Sequence, residues 1–195
     1  MKDYRNEIKK YIQLECEILN KLDVEEINRA VNLLEETFEK GGKIYIFGNG
    51  GSSATASHFQ NDFNKGVSEY TEKKFSFHCL NDNVPTLMAI ANDIGFDEVF
   101  RFQLKNKLKK EDIIIAISGS GNSNNVINAV EYAKKEGNKI IGLTGYNGGK
   151  LKELSDINLH VPVNSMQITE DIHMIFDHLI MSLFYRNMCN IEHLK

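Results

Sequence analysis

Two stretches rich in glycine and hydroxyls, and a few histidines paired with carboxylates, are where this chain has chemistry to offer. The first stretch is Gly48-Asn49-Gly50-Gly51-Ser52-Ser53, which runs on to His58. Glycine lacks a Cβ, so such a backbone can turn through positive φ and approach a ligand closely. The stretch follows the apolar run Lys43-Ile44-Tyr45-Ile46-Phe47 and opens a helical pattern. Free N–H groups at a helix start, with the positive dipole end, suit a phosphate. It is not the dinucleotide fingerprint, because Ser53 stands where the third glycine belongs, and no Gly-Lys-Ser/Thr follows to make a Walker loop. Taken alone, it reads equally well as a strand-to-helix turn that binds nothing.

The second stretch, Ser118-Gly119-Ser120-Gly121-Asn122-Ser123, follows Ile113-Ile114-Ile115-Ala116-Ile117 and also enters a helix. Backbone N–H groups and serine hydroxyls together make a neutral cradle for a phosphate monoester. Two such loops point to a phosphorylated small molecule. Neither carries a catalytic lysine or a magnesium signature, so the phosphate is bound rather than transferred. His58 and Asp62 lie four apart and share a helix face. Glu170 and His178, eight apart on a later helix with Met174 between them, share another. Two histidines and two carboxylates form a borderline-metal set, zinc first, or a general acid and base. Asp171, His173 and Asp177 lie on the same later helix and show how readily polar residues fall there by chance. Asn92-Asp93 closes the apolar run Leu87–Ala91, either as a plain turn or as partners for a polyol.

The elements that must position these residues follow from periodicity. Apolar residues at helical spacing mark a helix over residues 3 to 22 and a second through Ile27, Val31, Leu34 and Phe38, ending at Gly41-Gly42. Between them, Asp23 and Glu26 have the spacing of a capping box. These helices need a surface to cover, either the sheet of their own subunit or another copy of the chain. Strand patterns at Lys43–Phe47, Phe75–Cys79, Ile113–Ile117, Lys139–Leu143 and Ile157–Val161 then alternate with helices near Ser53–Asn64, Thr86–Ala91, Glu98–Lys105, Asn124–Lys135 and Lys150–Leu154. A last long helix starts at Gln167 and runs to about Met188. This order predicts an α/β fold, a three-layer αβα sandwich with a roughly five-stranded parallel sheet. One domain spans 1–195, with a helical pair over 1–40 and the core over 41–195.

A net charge of −4 over 195 residues argues against a general nucleic-acid binder. No apolar run reaches the ~18 residues of a membrane span. Cys16, Cys79 and Cys189 form no CxxC pair. The chain reads as cytoplasmic.

Gly48-Asn49-Gly50-Gly51-Ser52 with His58-Phe59, Ala91-Asn92-Asp93 before Gly95-Phe96, the serine loop, Leu143-Thr144-Gly145 with Gly148-Gly149, and the Glu170–His178 helix together resemble the sugar isomerase (SIS) domain. Within it the resemblance is to the sedoheptulose-7-phosphate isomerases, or phosphoheptose isomerases, and covers nearly the whole chain. It implies a homotetramer, with sites at subunit interfaces, that converts sedoheptulose 7-phosphate to D-glycero-D-manno-heptose 7-phosphate through an enediol. It places the phosphate on Ser118, Gly119, Ser120 and Ser123 with Ser52 nearby, and the sugar on Asn49, Gly50, Gly51, Asn92, Asp93 and Glu170. It implies Zn2+ on His58, Asp62, Glu170 and His178, with Asp62 and His178 as the acid/base pair. The family usually carries Glu at position 62, Gln at position 170 and an arginine near Lys65-Gly66. Those differences leave open another sugar phosphate, or a SIS protein that binds a phosphosugar or a protein partner without turnover.

Overall fold

A computed structural model describes residues 2–189 and 191. Two helices come first, α1 (Arg5–Leu19) and α2 (Val24–Lys40). Asp23 caps α2 by accepting from the N–H groups of Glu25 and Glu26. The capping box is only half built, because the Glu26 carboxylate pairs with Arg29 and accepts from the N–H of Asn158 at 2.9 Å instead. Gly41 ends α2 at φ +72°, the left-handed stop that glycine adopts without strain.

The core alternates strand and helix. In chain order it comprises β1 (Ile44–Gly48), α3 (Gly51–Asn61), β2 (Phe77–Cys79), α4 (Val84–Asp93), α5 (Arg101–Leu104), β3 (Ile113–Ser118), α6 (Asn124–Glu136), β4 (Lys139–Thr144), α7 (Gly149–Leu154), β5 (Ile157–His160) and α8 (Met166–Met188). The five strands form one sheet, ordered β2-β1-β3-β4-β5, and every pairing is parallel. Side chains alternate between its faces. Ile44, Ile46, Ile113 and Ile115 pack in one core with α2, α3 and α8, whereas Tyr45, Phe47, Ile114 and Ala116 pack in a second with α4, α5, α6 and α7. Both faces are covered, which is why β1 and β3 are buried along their whole length.

Two details differ from the periodic reading. The helix begun by α3 does not stay α-helical to Asn64. It widens into a π turn over Asp62–Gly66 and then tightens into a 3₁₀ turn over Val67–Tyr70. The expected helix over Glu98–Lys105 divides into a 3₁₀ turn, Phe96–Glu98, and the short α5. The π turn serves the sheet edge. Asn64 on it exchanges two bonds of 2.8 Å with the backbone of Phe77, and Gln60 accepts from the Cys79 N–H at 2.6 Å. Side-chain amides thus occupy the edge of the short strand β2, which would otherwise offer open backbone groups.

The far end of the sheet anchors α8. His173, fully buried, donates from Nε2 to the carbonyl oxygen of Thr144 at 3.3 Å. Its Nδ1 has no hydrogen-bond partner among the described residues. Burial, with a small push from His160, lowers its pKa from 6.5 to about 4 despite that bond. The unfolded chain therefore takes up a proton near pH 6.5 that the folded chain refuses until about pH 4. This contribution to stability is complete above pH 6.5 and is lost as pH falls toward 4. His173→Gln is expected to cost stability at pH 7.5 and to show a smaller deficit at pH 5. Urea unfolding midpoints at the two values measure this, and a deficit that stays constant with pH would contradict it.

Candidate functional site

In an open parallel sheet, ligands sit at the carboxyl ends of the strands where the strand order reverses. Here that place lies between β1 and β3, which are adjacent and send their connections to opposite faces. The two loops singled out by composition leave from it.

After β1, Asn81 holds Gly48 by two backbone contacts, accepting from its N–H at 3.2 Å and donating to its carbonyl at 2.9 Å. Gly50 then turns at φ +54° to start α3. After β3, the hydroxyls of Ser118, Ser120 and Ser123 gather, with Ser118 Oγ 3.5 Å from Ser120 Oγ and 3.2 Å from Ser123 Oγ. Ser123 occupies the N-cap position of α6, yet its side chain makes no capping bond. A hydroxyl spent inward in this way leaves the helix start to an acceptor from outside. The loops are tied together by a reciprocal amide pair. Asn49 Nδ2 donates to Asn125 Oδ1 at 2.8 Å, and Asn125 Nδ2 to Asn49 Oδ1 at 2.9 Å.

Asn49, Ser52, Ser118, Gly119, Ser120, Ser123 and Glu170 share the lining of one cavity of about 140 Å³. That is below the roughly 300–1,000 Å³ of a typical small-molecule site, so it fits one end of a ligand. Glu170 lies against Gly51 so closely that a Cβ there would stand 2.4 Å from its carboxylate. A carboxylate at the positive end of α3 is electrostatically favoured and occupies the place an anion would take. An incoming phosphate is left with the serine loop. Asn92 and Asp93 stand elsewhere, exposed at the end of α4 and bonded to each other at 2.7 Å.

The second group of residues forms where α3 crosses α8. His58 Nε2 lies 3.1 Å from His178 Nε2 and 3.4 Å from Asp62 Oδ2, and His178 Nε2 lies 3.8 Å from the same oxygen. Asp62, nearly buried, is the first residue of the π turn. Such turns inside helices often mark functional sites. The fourth member is Asp177, whose Oδ2 is 4.0 Å from His58 Nε2. One donor atom from each of the four residues lies within 4.8 Å of all the others. Glu170 does not join this group; its carboxylate stays at Gly51. The sequence reading named Glu170 and set Asp177 aside as a chance polar residue, although the two, seven apart on a helix, share a stripe. What spacing lacked was the depth of burial. Asp177 is fully buried and neither oxygen has a hydrogen-bond partner among the described residues. Desolvation first, and the Asp62 charge second, push its pKa up to about 8.

The family model described as "SIS domain" matches residues 4–145. The chain belongs to this family. Its SIS relatives include the phosphoheptose isomerase of Aliarcobacter butzleri, 42% identical over 156 residues, which are 80% of this chain and 82% of that one. The phosphoheptose isomerase of Helicobacter pylori strain P12 is 40% identical over 166 residues, 85% of this chain and 86% of its own. Among solved SIS structures, the phosphoheptose isomerase of Neisseria gonorrhoeae superposes with a TM-score of 0.85 at 29% identity, covering 93% of this chain and 98% of that one. The αβα sandwich and its five-stranded parallel sheet are thus those of the SIS fold. The matched span ends before α8, so the α8 half of the site is read from geometry.

Asn125→Leu removes the bridge between the loops and leaves the Asn49 amide unpaired, at a cost of about 1–3 kcal/mol. A fall in Tm of roughly 2–12 °C is expected for a chain of this size. Amide exchange over residues 49–52 should quicken in parallel; unchanged exchange there would show that the pair does not hold the loops.

Proposed function

We propose that the protein is a phosphoheptose isomerase, an aldose–ketose isomerase that converts sedoheptulose 7-phosphate to D-glycero-D-manno-heptose 7-phosphate. The observation that carries the reading is the meeting of Asp62 and His178, from two separate helices, 3.8 Å apart. The names and close similarity of the relatives support it. Ser118, Ser120 and Ser123, with Gly119 and Ser52, would hold the phosphate by hydroxyl and backbone donors. Asn49, Gly50, Gly51 and Glu170 would face the sugar. Asp62 would take the proton from C1 of the ketose and return it to C2, while His178 moves a proton between the two oxygens of the enediol.

The donors also fit a divalent metal. Ligands on ~2.05 Å arms of a tetrahedron stand about 3.3 Å apart. The separations among His58, Asp62 and His178 run from 3.1 to 3.8 Å. Zinc is the first choice for imidazole and carboxylate together, and when bound it would polarise the sugar carbonyl. The same Nε2 and Oδ atoms cannot hold a metal and carry a proton at once, so assays with and without zinc separate the two roles.

In this reading the working form is a homotetramer. α1 leaves Tyr4, Ile8 and Ile12 exposed, and α4 leaves Val84 and Met88 exposed, as faces meant for other copies. Asn92 and Asp93 at the end of α4 would then reach a neighbour's site. A cytoplasmic location goes with the free thiols of Cys16, Cys79 and Cys189.

Purified protein is expected to turn over sedoheptulose 7-phosphate in at least one of its zinc-loaded and metal-free forms. His178→Ala should lower kcat by about 10²–10⁴-fold. Ser123→Ala should act mainly on KM, lowering kcat/KM by roughly 10-fold or more as one donor to a charged phosphate is lost. Absence of turnover in both forms would sink the assignment.

A further inference from the structure

The cluster between α3 and α8 contains more than the isomerase reading uses. Asp177 is fully buried, and both carboxylate oxygens lack a hydrogen-bond partner among the described residues. A buried carboxylate normally has donors or a cation, because removal from water is costly without one. The charged and titratable groups that face it are Asp62 and His58 from the α3 side and His178 from its own helix. Asp62 repels it, and the nearest imidazole nitrogen, at 4.0 Å, lies beyond hydrogen-bond reach. The two imidazoles meanwhile point Nε2 at each other across 3.1 Å. Two nitrogens and two carboxylate oxygens, one from each residue, thus lie within 4.8 Å of one another. A single divalent cation there satisfies all of them.

We propose that Asp177 is a metal ligand, completing with His58, Asp62 and His178 a four-residue site for a zinc-like divalent cation in which Glu170 takes no part. The inference rests on the reading that a metal binds between α3 and α8. It reassigns the fourth ligand and assigns Glu170 to the serine-lined cavity alone. The geometry favours this division, since Glu170 already has a favourable place at the N-terminus of α3 beside Gly51. Asp177, by contrast, has no hydrogen-bond partner for either oxygen among the described residues.

Co2+ and Zn2+ binding by the full chain tests it, with visible absorption of the cobalt form and competition against a chelator as readouts. Loss even of a group that only orients a metal ligand costs about 10–100-fold in affinity. Asp177→Asn is therefore expected to weaken metal binding by on the order of a hundredfold, while Glu170→Ala, which removes every donor atom from that position, leaves the affinity within about twofold and the cobalt spectrum unchanged. The reverse pattern would overturn the assignment. If Asp177→Asn does not fold, a zinc-loaded crystal of the unaltered protein decides. An Asp177 oxygen at ~2.0–2.2 Å from the metal supports the proposal, and a Glu170 oxygen in that place refutes it. If the unaltered protein binds neither metal, the whole metal reading fails, whereas isomerase activity, assayed on the metal-free protein, stands or falls separately.

Discussion

Everything at the candidate site depends on the parallel pairing of β1 with β3 at the centre of the sheet. Right-handed crossovers that leave this pair in opposite directions must put α3 on one face and α6 on the other. The two glycine-containing loops then open side by side, since Gly48 pairs with Ile117 one residue before the serine loop begins. Asn49 and Asn125 close the remaining gap with amide bonds in both directions. Without that strand adjacency, the two loops would be separate turns with no shared cavity.

The second dependence is on α8, which reaches both halves of the site. Near its start Glu170 borders the serine-lined cavity, and two turns later Asp177 and His178 face α3. The Thr144–His173 bond fixes the helix to the last residue of β4 between these points. Tyr11 adds a bond from α1 to Asp171, and that bond, more than any other cause, drives the phenol's pKa up to about 12. The charge balance differs between the two ends. The carboxylate of Glu170 near the start of α8 is met by a helix dipole, while that of Asp177 farther along lies beside two imidazoles and the Asp62 carboxylate.

All five strands were legible in the sequence, because short apolar runs bounded by turn residues, such as Ile113–Ile117, suit strands covered on both faces, and β5 alternates buried and half-buried residues. The helix ends were legible where a residue type forces them, as at Asp23 and Gly41. The π turn was not, since widening by one residue leaves no compositional mark and answers a tertiary demand, the bonding of Asn64 to Phe77. Glu26 looked like a partner for its own helix cap because spacing is a local signal; the N–H of Asn158 that claims it lies far along the chain. At the site, residue type and period singled out His58, Asp62 and His178, which do meet. Period alone could not rank Glu170 against Asp177. Which carboxylate enters the cluster is decided by where α8 crosses α3, a matter of packing.

The serine loop meets the stretch after β4 mostly through main chain, with one side-chain bond in which Asn122 Oδ1 accepts from the Lys150 N–H at 3.1 Å. Gly121 stands at φ +67°, and a Cβ on it would fall 1.9 Å from the carbonyl oxygen of Gly148. The bond from the Leu151 N–H to the Gly121 carbonyl and that from the Gly145 N–H to the Gly119 carbonyl are likewise backbone to backbone. The curvature of the serine loop is therefore written largely in glycines and peptide groups, which side-chain replacement around it barely touches. In the proposed isomerase, such a build would let preference along the sugar change while the phosphate socket stays constant. Drift in substrate is cheap at the cavity's walls and forbidden at its floor.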